Sequence, residues 1–159
     1  MELSDGRIIC LGRQLKYGRT PMSVSCDGGQ HFSRYRACGL YSVRCQKSIL
    51  KLPRDSENGF HYSKDMDPNK EYFVSVHPSG HRGKDSSRTD GVLSLCEIEG
   101  TKVTTIREWE LKEKSEYSYL GKTPDFFAYS SIALLPDGSI GIFYEAHPSG
   151  LLIFKTLHL

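Results

Sequence analysis

Tyr129 and Glu145 stand at the two ends of one short segment, Phe126-Phe127-Ala128-Tyr129-Ser130-Ser131 through Gly141-Ile142-Phe143-Tyr144-Glu145. Tyr129 to Leu135 and Ile140 to Tyr144 are apolar, strand-favouring runs, and Pro136-Asp137-Gly138 is turn chemistry, so the segment reads as a β-hairpin. The outer ends of an antiparallel pair lie at one edge of the sheet, which lets a phenol and a carboxylate face one site. On these residues alone the plain alternative is a core tyrosine with a satisfied hydroxyl and a strand-end glutamate in water.

Two arginines are the other candidates. Arg13 closes the run Arg7-Ile8-Ile9-Cys10-Leu11-Gly12-Arg13, beside a glycine that permits close approach of the backbone. Arg88 lies just ahead of the run Gly91-Val92-Leu93, which fixes its position, whereas Arg82 lies mid-loop between glycines. A guanidinium holds a carboxylate with a planar pair of donors that lysine cannot reproduce. Taken singly, each arginine also reads as a solvated strand-end charge. His77, His81 and Asp85 have no metal-ligand spacing, and a solvated loop is the expectation for them.

Nine runs carry strand character: Arg7–Leu11, Pro21–Ser25, Lys47–Leu52, Glu71–Val76, Gly91–Glu97, Lys102–Trp109, Ala128–Leu135, Ile140–Tyr144 and Leu151–Leu157. About nine to twelve strands with frequent Gly, Pro, Asp and Asn turns predict an all-β domain, a sandwich or a set of propeller blades. Leu52 to Lys70 is the longest predicted loop and His77 to Asp90 the second. Ser25-Cys26-Asp27-Gly28-Gly29-Gln30-His31-Phe32 predicts a tight turn, with Asp27 bonding backbone amides, glycine taking positive φ and Phe32 packing beneath the hairpin. Trp109 is read as a packed core aromatic.

A chain of 159 residues with 38% hydrophobic and 25% charged content is sized for one domain with a real core. A net charge of +2 excludes nucleic acid or an anionic membrane as an expected partner. No apolar run reaches the roughly 18 residues that span a bilayer, and the N-terminus carries no apolar signal core. A cytoplasmic location follows if Met1 is the true start. Five cysteines at irregular spacing read as free thiols in strands.

Several of these segments together resemble the sialidases (exo-α-neuraminidases). Ala128-Tyr129-Ser130-Ser131 with Leu135-Pro136-Asp137-Gly138 and Tyr144-Glu145 is similar to the last active-site segment of that family. Glu2-Leu3-x-Asp5-Gly6-Arg7 leading to Arg13 resembles a segment carrying one arginine of its carboxylate-binding triad. His77-Pro78 through Arg88-x-Asp90 resembles the segment carrying another. Ser25, Asp27, Gly29 and Phe32 match its Asp-box, with Phe32 where Trp is usual, and Cys45-Gln46-Lys47-Ser48 resembles a blade start, read here as packing and turn formation.

The resemblance covers nearly the whole chain and implies antiparallel four-stranded blades of a six-bladed β-propeller, about three of them present. It implies an exo-α-sialidase acting on sialylated glycoproteins, glycolipids or oligosaccharides with no cofactor and no metal. Tyr129 would be the nucleophile, Arg13 and Arg88 two clamps on the substrate carboxylate, and Glu145 the orienter of the remaining arginine. Sialidases are the exception among glycosidases in using a tyrosine nucleophile. The family's acid/base aspartate, its first triad arginine and the glutamate that activates the tyrosine would all precede Met1; Glu2 matches a later glutamate. The expectation is therefore an N-terminally truncated domain, completed by a missing N-terminal half or by self-association, and nearly inactive alone. The alternatives are an inactive sialic-acid-binding or scaffold protein and a generic propeller repeat.

Overall fold

Ten strands are formed in the computed structural model, which describes residues 1–13, 18–57, 60–80, 87–111, 126–147 and 151–159. β1 (Ile8–Leu11), β2 (Gly18–Ser25) and β3 (Arg36–Ser42) make one sheet. β4 (Ser48–Lys51), β5 (Glu71–Pro78), β6 (Gly91–Glu99) and β7 (Lys102–Glu110) make the second, and β8 (Ala128–Leu134), β9 (Ile140–His147) and β10 (Leu151–Leu157) the third. All pairings are antiparallel and follow chain order. Only the middle sheet has four full strands among the described residues. The first gains a stub, because residues 1–3 run beside β1 and Glu2 bridges Ile8. Among the described residues no helix is long and apolar enough to cross a membrane.

The middle sheet is covered on both faces, which is why β5 and β6 read as nearly continuous apolar runs. Alternation sorts their side chains. Tyr72, Val74, Val76, Leu93 and Leu95 join Phe127, which leads into the third sheet, and Ile140, Ile142, Tyr144 and Ile153 of that sheet in one core. Phe73, Cys96, Ile98 and Val103 point the other way and join Leu3, Ile9, Met22, Cys38 and Leu40 of the first sheet in another. The three sheets thus stack face to face, each strand pair burying what its alternating pattern supplies.

β3 has no counterpart among the nine runs. Its centre is Gly39, a poor strand former that tertiary packing requires here. A Cβ on Gly39 would lie 1.9 Å from the carbonyl oxygen of Val103, so β3 runs against β7 at a distance only glycine allows. β5 extends to Pro78, which corrects the expectation for His77: it is a strand residue, 1% exposed, and not part of a solvated loop. The rung that pairs it with Val92 places it at the floor of a cleft of about 380 Å³ that Gly39, Tyr41 and Glu108 also line. His81, Arg82 and Asp85 lie outside the described residues. All five cysteines are free; Cys10, Cys38 and Cys96 are in strands, Cys26 and Cys45 are not.

Candidate active site

One edge of the stacked sheets collects the candidate residues. β1 ends there, leading to Gly12 and Arg13; β4 begins there; β5 ends and β6 begins there, flanking Arg88; β8 begins and β9 ends there, carrying Tyr129 and Glu145. The turns at the other edge, around Gly100 and Gly138, have positive φ glycines and no candidate chemistry. A cleft of about 790 Å³ lined by Ser4, Lys51, Arg54, Glu71 and Leu134 also opens there and includes none of the four.

The approach to Tyr129 is set by Phe127. Its ring stacks on Tyr144 with centroids 4.4 Å apart, and it covers Gly91, where a Cβ would lie 2.1 Å from the ring. The Phe127 amide donates to the Arg88 carbonyl at 2.9 Å, and Thr89 bridges Phe126. The segment carrying Arg88 is therefore stitched to the two residues that lead into β8. The guanidinium carbon of Arg88 then lies 4.8 Å from the centroid of the Tyr129 ring, a cation–π contact.

Tyr129 does not continue the ladder. Ala128 pairs with Glu145 and Ser131 with Phe143, so two residues, Tyr129 and Ser130, oppose Tyr144 alone. This β-bulge puts Tyr129 at φ 45°, a left-handed conformation that is uncommon for a bulky side chain and costs on the order of 1–3 kcal/mol. Tyr129 is 45% exposed, which overturns the reading of a core tyrosine. Glu145 is half-buried, between Ala128 on β8 and Leu152 on β10.

Ser130 anchors the bulge. Its hydroxyl donates to the Val76 carbonyl at 3.0 Å. Its carbonyl accepts from Gln46 Nε2 at 3.2 Å and from the Ser48 hydroxyl. Lys47, between those two residues, donates from Nζ to the Gly12 carbonyl at 2.8 Å. Burial, and to a smaller degree the Arg13 charge, bring the Lys47 ammonium down to about 8, against the pull of the Cys38 and Cys45 thiols. Arg13 itself is exposed, one peptide beyond that carbonyl. The edge thus brings Arg88 and Tyr129 into contact and ties the Arg13 backbone to the same framework. Gln46, Lys47 and Ser48, read from the sequence as packing and turn formation, bond directly to both segments.

The Asp-box forms at the far end of β1 and β2, where Ile8 pairs with Ser25. The Ser25 hydroxyl donates to Asp27 Oδ1 at 2.7 Å and accepts from the Gly29 amide at 2.9 Å. Asp27 Oδ1 also accepts from the His31 amide at 3.0 Å, and Oδ2 lies 2.7 Å from His31 Nδ1. Led by the His31 amide, these bonds hold the Asp27 carboxyl down to about 2. Gly28 and Gly29 take φ of 69° and 89°. Phe32 departs from expectation at 46% exposed. Ser33 is bonded to β2 through its amide, carbonyl and hydroxyl, which leaves the preceding ring facing out.

No family model and no curated protein matches this sequence. Solved structures do match. The intramolecular trans-sialidase of Ruminococcus gnavus, solved with oseltamivir carboxylate, superposes over 99% of this chain with a TM-score of 0.71 at 20% identity. The NanB sialidase of Streptococcus pneumoniae, solved with a chlorobenzyl-ammonio-ethanesulfonate, superposes over 92% with a TM-score of 0.64 at 21% identity. The chain has a sialidase-like fold. It spans 31% and 19% of the lengths of those two chains, and its three antiparallel sheets are blades of that propeller fold.

Proposed function

We propose that the chain contributes Tyr129, Glu145, Arg13 and Arg88 to an exo-α-sialidase site, removing terminal sialic acid from glycoconjugates. The observation that carries this reading is the contact of Arg88 with Tyr129 at 4.8 Å. In sialic acid the carboxylate is bonded directly to the anomeric carbon. A nucleophile for that carbon must therefore stand beside a cation that holds the carboxylate, and these two residues stand so.

Arg88 and Arg13 grip the carboxylate through paired N–H donors. The Tyr129 oxygen attacks the anomeric carbon as the bond to the leaving oxygen breaks, the phenol giving up its proton and the departing oxygen taking one up; an incoming hydroxyl then displaces Tyr129 from the glycosyl-tyrosine, losing its proton as the phenol regains one. A phenol suits this centre because, unlike a carboxylate nucleophile, it approaches the substrate carboxylate without like-charge repulsion. Glu145 orients a further arginine contributed from outside the chain. General acid–base help is worth about 10²–10⁴-fold, and no residue described here is assigned to it, so the chain alone turns over weakly. A second reading is a chain that binds sialic acid without cleaving it, with Arg88 and Arg13 holding the carboxylate and no bond broken.

The test is fluorophore release from a sialic-acid aryl glycoside, by the 159-residue chain and by a form extended upstream in frame. Release that Tyr129→Phe abolishes supports the sialidase reading. Sialic acid binding without release by either form moves the binding reading ahead, and neither release nor binding overturns both.

A further inference from the structure

We infer that Gln46, Lys47 and Ser48 form a positioning clasp that holds the Tyr129 bulge and the Arg13 backbone in one frame. The inference rests on the site reading above and adds to it the residues that set its geometry. Gln46 and Ser48 both donate to the Ser130 carbonyl, while Lys47, between them in sequence, donates to the Gly12 carbonyl at 2.8 Å. Three consecutive residues on one short segment thus reach two different sheets.

The geometry of each bond matters. The Gly12 carbonyl belongs to the peptide unit that joins Gly12 to Arg13, so fixing it fixes the plane from which Arg13 projects. Ser130 is the residue after Tyr129 and is only 3% exposed. With its hydroxyl on the Val76 carbonyl and its own carbonyl on Gln46 and Ser48, it is held from both sides. Ser48 and Val76 are paired across β4 and β5, so both ends of Ser130 dock on the same rung of the middle sheet. A tyrosine at φ 45° relaxes unless its surroundings over-determine it, and this rung supplies that constraint. Without the two side-chain donors the buried Ser130 carbonyl would lose both of these partners, a loss that burial makes costly.

Two readouts test the clasp. 3-Fluorotyrosine placed at position 129 reports the local conformation by ¹⁹F NMR whether or not the protein is active. Ser48→Ala and Gln46→Ala should shift and broaden that line and Ser48→Thr should restore it, with melting temperature recorded alongside. Lys47→Met should leave the line in place. In the form that turns over, Ser48→Ala should lower kcat about 10²-fold with little change in KM, the usual scale for a misplaced reacting group. Lys47→Met should instead raise KM about tenfold by loosening the Arg13 grip. A ¹⁹F line unmoved by Ser48→Ala and Gln46→Ala, both folded, overturns the clasp. A line that moves in a protein with no turnover in any form keeps the clasp and removes the sialidase reading, so the two fail separately. Gln46 is exposed, so its variant stays informative even if Ser48→Ala does not fold.

Discussion

Replacing His77 with Asn should flatten the acid limb of the chain's stability curve. His77 is buried between the middle and first sheets. Nδ1 lies 3.1 Å from the Pro78 carbonyl oxygen and Nε2 lies 3.2 Å from the Ser94 hydroxyl, which donates to Glu108 Oε1 at 2.8 Å. Two effects oppose each other. Those oxygens would welcome an imidazolium, but complete burial disfavours its charge and Lys47 adds to the penalty, leaving the folded-state pKa lowered from 6.5 to about 4. The sign follows: the unfolded chain takes up a proton near pH 6.5 and the folded chain does not until about pH 4, so stability is lost as pH falls through that window. At about 1.4 kcal/mol per pH unit the loss is about 2 kcal/mol by pH 5 and approaches about 3 kcal/mol near pH 4. Urea unfolding at pH 7 and pH 5 reads this directly as a fall of about 1 M in the midpoint for the wild type. His77→Asn should be less stable at pH 7, having lost packing and bonds, yet fall much less between the two pH values. Equal falls in both proteins would show that His77 does not titrate as a buried neutral group. Because Val76 holds the Ser130 hydroxyl, the same acid transition should also appear as broadening of a ¹⁹F probe at Tyr129.

Two further outcomes follow from the backbone. Gly39→Ala should destabilise the chain by on the order of 3 kcal/mol or prevent folding, since its Cβ would overlap the Val103 carbonyl at 1.9 Å; an unchanged urea midpoint would mean β3 and β7 do not approach so closely. Tyr129→Gly should be more stable than Tyr129→Ala by about 1 kcal/mol, the reverse of the usual order in a strand, because only glycine is at ease at φ 45°. Thermal unfolding of the two variants decides it; Ala above Gly would place residue 129 outside the left-handed region.

The strands were legible where period-2 alternation or continuous apolar runs expressed burial, and so was the hairpin that carries Tyr129 and Glu145. Its turn formed as read, with Gly138 at φ 81° and the Leu135 amide bonded to Ser139. The bulge was not legible. Ser130-Ser131 gives no local signal, and what fixes Ser130 comes from Ser48, 82 residues away in sequence. β3 escaped because close approach at Gly39 overrides strand propensity. In His77-Pro78, histidine and proline next to a polar stretch look like a solvated loop; only the pairing of Pro78 with Gly91 carries the strand that far.

Two of these departures, the bulge and the buried end of β5, share a location, and that is informative independently of any resemblance. Elsewhere the sheets meet through two apolar clusters, as sequence and burial agree they should. At the edge holding Tyr129 the local rules fail together: a tyrosine at positive φ, a bulge, a lysine depressed by burial, and buried Thr20, Ser42, His77, Ser94 and Ser130 where valine or leucine would pack at less cost. Departures from local consistency concentrate where geometry serves something other than stability. Side-chain-to-backbone bonds cross between sheets there: Ser48 and Gln46 to Ser130, Ser130 to Val76, Lys47 to Gly12. Such bonds are directional where apolar contacts are not, and direction is what the nucleophile and carboxylate clamp of the proposed site would require. The stability given up at this edge is therefore best understood as the cost of holding Tyr129, Arg88 and the Arg13 backbone in fixed relation.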